Sequence, residues 1–253
     1  MSAHPRSAPV TDRQVSGSDA IPRRVSVEDG YARWAATYDQ SPNPLLALEQ
    51  RCLRPLLPDV AGKRVLDLAC GTGRWLETLL AANPRLGVGI DSSAAMLAVA
   101  QAKTAIAGRL AGANCLHLPL ASHEFDLALC SFAVEHIGNL GELARECWRV
   151  LRQPADLFLT GLHPAAYSAG WRVGFRDAQG AHQIDAAPHS TQDMVTVFGG
   201  AGFELVQALE CFLGEPERPL FACAGKAGFF DAACALPAIA ILHLSGGSGR
   251  SEN

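Results

Sequence analysis

Two aspartates and a run of small residues between them carry the clearest chemistry in this chain. Residues 65–75 read Val-Leu-Asp-Leu-Ala-Cys-Gly-Thr-Gly-Arg-Trp, so Asp67 stands in an apolar run that gives way to Ala69, Gly71 and Gly73. Such a passage is a buried strand, a glycine-rich turn and the start of a helix, and small residues in the turn let a ligand lie close to the backbone. Asp91 closes the next apolar run, residues 86–91. A carboxylate at the end of that second strand can accept hydrogen bonds from both hydroxyls of a ribose. A pyrophosphate cradle would require a third glycine at position 76, which is Leu76. The pattern therefore predicts an adenosine site with no provision for bridging phosphates.

The elements that must hold these residues follow from the alternation of patterns. Strands are expected at residues 64–68, 86–91, 109–113, 125–131 and 157–162. Helices are expected at 73–82, from Ser93 to about 107, and at 140–152. That β-α-β-α rhythm implies a parallel sheet covered by helices. Farther on, residues 171–175 and 182–185 flank Asp177-Ala178-Gln179-Gly180 as a hairpin. Ser190 caps a helix ending near Gly199, and residues 203–212 and 238–244 form two closing strands with a small helix between. Residues 1–25 and 246–253 are expected to be flexible tails around one domain spanning 26–245.

Composition narrows the class. The 253 residues are 49% hydrophobic and 18% charged, which supports a packed core, and 21 basic against 25 acidic residues leave a net charge of −4. That balance excludes a strongly basic nucleic-acid binder or a polybasic membrane anchor. No apolar run reaches the roughly 18 residues of a membrane span, and no signal-peptide core is evident. Eight scattered cysteines without a Cys-x-x-Cys pair fit reduced, buried thiols, and the chain is expected to be cytoplasmic.

The motifs resemble those of the class I S-adenosylmethionine-dependent methyltransferases. Residues 65–73 are similar to the family's first motif and residues 89–97 to its second-strand motif. The likeness continues through Leu118-Pro119-Leu120, residues 125–131 and residues 142–151. The branch it most resembles contains the ubiquinone and menaquinone C-methyltransferases and many natural-product methyltransferases. Tyr31-Ala32-Arg33-Trp34 through Thr37-Tyr38-Asp39 resembles that branch's N-terminal helix, which folds over the cofactor.

The resemblance implies a Rossmann-like, doubly wound α/β fold with a seven-stranded sheet and an antiparallel last strand. It also implies S-adenosyl-L-methionine as cofactor. Ala69, Gly71 and Gly73 would flank its methionine portion, and Asp67 would orient the turn and the ammonium group. Asp91 would bind the ribose, with Ser92 and Met96 beside the adenine. Asn114, Cys115 and Leu116 would contact the base, Ser131 the methionine end, and Tyr38 the methionine carboxylate. The turn at residues 153–156, Gln-Pro-Ala-Asp, departs from the family's Pro-Gly-Gly and puts the turn geometry there in question.

Methyl transfer asks mainly for in-line positioning, but a hydroxyl acceptor also needs a base. His163 leads as that base because it follows the fifth strand, with His136 as second candidate; for either, a hydrogen-bonded packing role is the competing reading. The insertion 165–189 is expected to act as a substrate lid, with Tyr167, Trp171, Arg172 and His189 facing the acceptor. His163, His189 and Asp185 are not at diagnostic metal spacing, so no metal is expected. The expected function is methyl transfer to an oxygen, nitrogen or carbon of a small-molecule acceptor. Two other readings stay open: a cofactor-binding relative with a non-methylating or regulatory role, and a dinucleotide oxidoreductase.

Overall fold

The computed structural model describes residues 21–247. In chain order the elements are β1 (Arg23–Val25), α1 (Val27–Trp34), α2 (Pro44–Leu53), β2 (Arg64–Leu68), α3 (Arg74–Leu80), β3 (Leu86–Asp91), α4 (Ala94–Gln101), β4 (Leu110–Gly112), β5 (Phe125–Ser131), α5 (Leu140–Val150), β6 (Leu151–Leu162) and α6 (Pro164–Ser168). They continue with β7 (Gly174–Asp177), β8 (Gly180–Ile184), α7 (Thr191–Gly200), β9 (Phe203–Cys211), α8 (Arg218–Cys223), α9 (Phe230–Cys234) and β10 (Ile239–Gly246).

Seven strands form one sheet in the order β4-β3-β2-β5-β6-β10-β9. β2, β3, β4, β5 and β6 pair in parallel, whereas β10 runs antiparallel to both β6 and β9. Strand alternation divides the core in two. Leu66, Leu68, Ala128 and Leu157 face α5 and α7, while Val65, Leu127, Leu129 and Phe158 face α2, α3, α8 and α9. Burial on both faces explains why the parallel strands read as continuous apolar runs.

Side-chain caps set the helix starts near the site. Ser93 Oγ accepts the Met96 N–H, and Ser190 Oγ accepts the Asp193 N–H. The α4 helix ends at Gln101, earlier than the expected 107. At 153–156 the chain bulges within β6: the register to β5 passes from Phe125 opposite Leu151 to Leu127 opposite Asp156, a step of five residues along β6 against two along β5, with a cis peptide at Gln153–Pro154. None of residues 153–156 takes a positive φ, so the missing glycines carry no penalty.

A second sheet of three strands, β1-β8-β7, stands apart from the first. The β7–β8 hairpin is the one expected from the sequence, but β1 corrects the expected tail, because Arg23, Arg24 and Val25 pair in parallel with His182, Gln183 and Ile184. Packing secures the arrangement: Trp34 stacks on Phe175 at 5.5 Å between ring centroids, and a Cβ on Gly30 would stand 2.6 Å from Ile184. Residues 1–20 and 248–253, most of the two expected tails, lie outside the described residues.

Candidate active site

The carboxyl ends of β2, β3 and β5 open into one cavity of about 480 Å³, which α1 and the following turn wall off on the N-terminal side. After β2 the backbone takes left-handed conformations at Ala69 (φ 51°), Gly71 (φ 55°) and Gly73 (φ 83°). Ala69 pays a small strain for this, while the space above Gly71 is open to 4 Å. Gly73 starts α3, and a Cβ there would meet Ile106 Cδ1 at 2.2 Å.

Asp67 lies on β2 at 1% exposure and lines this cavity, yet its Oδ2 has no hydrogen-bond partner. Burial pushes its carboxyl up to about 7, against the opposing pull of the Arg74 charge. Asp91 shapes the loop directly. Its Oδ2 accepts the Gly71 N–H at 2.8 Å and its Oδ1 the Ser93 N–H at 2.7 Å. Burial raises this carboxyl too, with the Ser93 and Gly71 N–H groups opposing the shift. A carboxylate offers about four lone-pair directions, so each Asp91 oxygen retains one for a ligand hydroxyl.

Beneath the methionine end expected from the sequence sits a buried carboxylate. Glu49, on α2 and fully buried, pairs with Arg74 and accepts from Trp75 Nε1 at 3.0 Å, from Ser131 Oγ at 2.7 Å and from the Thr160 hydroxyl. Arg74 also donates to Ser131 Oγ at 3.3 Å and lines the cavity. Thr72 Oγ1 donates to Asp39 at 2.7 Å, tying the loop to the turn after α1.

Another part of the lining is built around an imidazole. His136 Nδ1 lies 2.8 Å from the Asp185 carbonyl, which can only accept, so Nδ1 carries the proton. Nε2 is then an acceptor, and the Tyr31 hydroxyl donates to it at 3.0 Å. Burial lowers the His136 pKa and raises that of Tyr31, so both are neutral near pH 7. Next to it, Glu135 is 3% exposed with neither carboxylate oxygen partnered, and burial pushes it up to about 7.

Of the residues expected to hold the cofactor, Tyr38, Asp67, Ala69, Gly71, Asp91, Ser92, Met96, Asn114, Cys115, Leu116 and Ser131 all line this cavity. Gly73 stands behind them at the head of α3. The Asn114 Oδ1 is partly engaged, accepting the Leu116 N–H at 2.9 Å. His136 lines the cavity, but His163 does not: its Nδ1 accepts the Ala165 N–H as the cap of α6, and its Nε2 faces Glu210 at 3.3 Å. Tyr167, Trp171, Arg172 and His189 are also outside the lining. Arg172 folds over the Tyr167 ring at 3.8 Å, Trp171 packs on the core, and His189 Nε2 bonds to the Ile137 carbonyl at 3.1 Å. Among the described residues no three His, Cys, Asp or Glu side chains converge as a metal-holding group. Tyr31, Arg74 and Glu49 complete the site without having been singled out by chemistry. Arg74 had one signal, its place directly after the glycine turn.

Residues 65–154 match a family described as a methyltransferase domain. The chain is 32% identical over 190 residues to a malonyl-[acyl-carrier protein] O-methyltransferase of Dechloromonas aromatica, covering 73% of this chain and 68% of that protein. The chain belongs to the class I S-adenosylmethionine-dependent methyltransferases. It is also 37% identical over 100 residues to a demethylmenaquinone methyltransferase of Lactiplantibacillus plantarum, covering 37% of this methyltransferase and 42% of the relative. In fold it resembles the crystal structure of an S-adenosylmethionine-dependent methyltransferase from Mesorhizobium loti, with a TM-score of 0.62, 21% identity and coverage of 80% of this chain and 100% of that one.

The cavity fits the cofactor this family uses. The unpartnered Asp67 oxygen is a buried acceptor waiting for a cationic donor, the loop offers bare backbone at Gly71, and Asp91 keeps lone pairs for hydroxyls.

Proposed function

We propose that this methyltransferase holds S-adenosylmethionine between Asp67 and Asp91 and methylates an oxygen, nitrogen or carbon of a small-molecule acceptor admitted beside α1. The observation that carries this reading is the single cavity lined at once by both aspartates, the glycine turn and His136. Asp67 receives the ammonium group, Asp91 the ribose hydroxyls, and Ser92, Met96, Asn114, Cys115 and Leu116 surround the adenine. Tyr38, Arg74 and Ser131 face the methionine carboxylate end. Once bound, the cofactor supplies a methyl group already activated on a sulfonium, so the protein's task is alignment and exclusion of water. His136 is the base for a hydroxyl acceptor; His163, whose two ring nitrogens are both engaged, is not assigned that role.

The domain runs from 23 to 246, β1 to β10, and the insertion 165–189 acts by buttressing. Its backbone holds the 134–138 turn through the Asp185 carbonyl and through the Ala187 N–H, which donates to the Glu135 carbonyl at 2.7 Å. The acidic net charge supports an acceptor that is not a nucleic acid. No helix among the described residues is long and apolar enough to cross a membrane, and the eight cysteines, all free, support a reducing, cytoplasmic setting.

Calorimetry with S-adenosylmethionine, S-adenosylhomocysteine and a nicotinamide dinucleotide tests the assignment. The first two bind and the third does not. Asp91→Ala weakens binding at least tenfold, since each charge-assisted hydrogen bond is worth about 1.5–3 kcal/mol. Unchanged affinity in that variant refutes the ribose assignment.

A further inference from the structure

Four charged side chains line the cavity: Glu28, Asp67, Asp91 and Arg74. Arg74 is already neutralised by the buried Glu49, so no cation among the described lining residues is free to receive an anionic acceptor. Around His136 the lining includes Tyr31, whose ring centroid lies 5.4 Å from the imidazole, together with Phe132 and Ile137, and Glu28 is the one charged side chain that α1 contributes. The polar feature there is the chain of hydrogen bonds Tyr31–His136–Asp185 carbonyl, whose direction is fixed by the carbonyl at its far end.

We infer that the acceptor is an uncharged phenolic or enolic hydroxyl, and that Tyr31 joins His136 as the path for its proton. The inference rests on the methyltransferase reading above. In the step, the acceptor O–H bond breaks as its oxygen forms the bond to the methyl carbon. The methyl–sulfur bond breaks with both electrons staying on sulfur. The proton moves to Tyr31 Oη while the Tyr31 proton passes to His136 Nε2, leaving an imidazolium that later releases it to water. Burial lowers the imidazole's proton affinity, so the base is unprotonated and ready at neutral pH. A carboxylate or phosphate acceptor would need no base, and would enter a chamber with acidic walls and no free cation.

The titratable groups around the imidazole are Tyr31 from α1, the adjacent buried Glu135, Glu28 at the cavity wall, Asp185, which is paired with Arg24, and His189 on the neighbouring carbonyl of Ile137. Of these groups only Tyr31 donates to the imidazole.

The test is release of S-adenosylhomocysteine with a panel on matched skeletons: 2-naphthol, catechol and acetylacetone against 2-naphthoate, 2-naphthyl phosphate and 2-naphthylamine. Binding of S-adenosylmethionine is measured in parallel. Hydroxyl acceptors are consumed and the carboxylate and phosphate are not. His136→Asn lowers kcat about 10²–10⁴-fold. Tyr31→Phe lowers it less and keeps the acid limb of the pH profile set by His136, which His136→Asn removes, while cofactor affinity in both variants stays within threefold. Turnover of naphthoate or the phosphate, turnover confined to the amine, an unmoved rate in His136→Asn, or cofactor binding with no hydroxyl consumed overturns the inference. Absence of cofactor binding in the unaltered protein instead removes the methyltransferase reading beneath it.

Discussion

In its proposed role of receiving the cofactor's ammonium group, Asp67 makes cofactor binding depend on pH. Burial moves its carboxyl from the ordinary range to about 7, so in the ligand-free protein it is largely protonated at pH 6. An ammonium group is received only by the ionised form. The competent fraction at pH 6 is therefore about one in eleven, and affinity falls about tenfold there and about a hundredfold at pH 5 relative to the fully ionised protein. Binding at pH 6 expels about 0.9 proton from this carboxyl. The ligand's own α-ammonium, made more basic than a peptide amino terminus by the neighbouring carboxylate, sets an alkaline limb above about pH 8. The stability term has the opposite sign to a salt-bridged acid: because the folded value is raised, the folded state loses stability as pH climbs from about 4 through 7. Asp67→Asn abolishes the acid limb and flattens this loss. Calorimetry of S-adenosylhomocysteine in two buffers of different ionisation enthalpy, from pH 5 to 8.5, reads the proton directly. An acid limb that survives in Asp67→Asn, or an apparent enthalpy independent of buffer at pH 6, refutes the reasoning.

Two further substitutions probe the buried carboxylates. Glu49→Ala strips the acceptor from Arg74, Trp75, Ser131 and Thr160 at once, and the unpartnered buried donors of Trp75 and Thr160, at about 1–3 kcal/mol each, with the lost counter-charge of the partly exposed Arg74, cost about 3–5 kcal/mol together. That is a fall in Tm of roughly 6–20 °C for a chain of this size, seen by scanning calorimetry, with a smaller loss in Glu49→Gln; a shift under about 2 °C contradicts it. Glu135, with its carboxyl raised to about 7 by burial, destabilises the fold as pH passes from its unfolded value upward through 7. Glu135→Gln is therefore more stable than the unaltered protein at pH 9, by about 3 kcal/mol, and equal to it near pH 4.5. Urea unfolding at the two pH values checks this, and an identical difference at both would exclude the charge as its source.

The strands and the glycine turn were legible because local physics decides them. Residues 64–68 and 86–91 are apolar on both faces, and Asp91 ends its strand where a helix capped by Ser93 must begin. The β7–β8 hairpin was legible from Asp177 to Gly180 for the same reason. What escaped was set by tertiary partners. Arg23, Arg24 and Val25 have no periodicity of their own, and their pairing exists only because β8 offers an edge and Ile184 fits against Gly30. Glu49 looks like any helical glutamate until α2 lands over Arg74. The case for His163 came from its position after a strand. Position alone could not show that a helix cap and Glu210 would claim both ring nitrogens, whereas His136 gained its orientation from a carbonyl 49 residues away.

These missed contacts share a direction: they bind the chain ahead of β2 to later elements of the fold, from the glycine turn and the turn after α4 to the β7 strand. Asp39 takes the Thr72 hydroxyl and the Lys103 ammonium at 2.9 Å, Tyr31 reaches His136, Glu49 reaches Arg74 and Ser131, and Arg33 reaches Asp177 at 2.6 Å. Each joins a different element, so the wall over the cavity is held at separated points rather than by one hinge. A sheet and its glycine turn can place an adenosyl group, but they leave its reactive end open to water. In the proposed binding mode the segment before β2 covers that end, and it brings the tyrosine that donates to the imidazole. In this chain the parts that recognise the donor and the parts that shield the reaction come from different stretches of sequence. They meet where Glu49, a buried carboxylate costly by itself, finds its partners across that boundary.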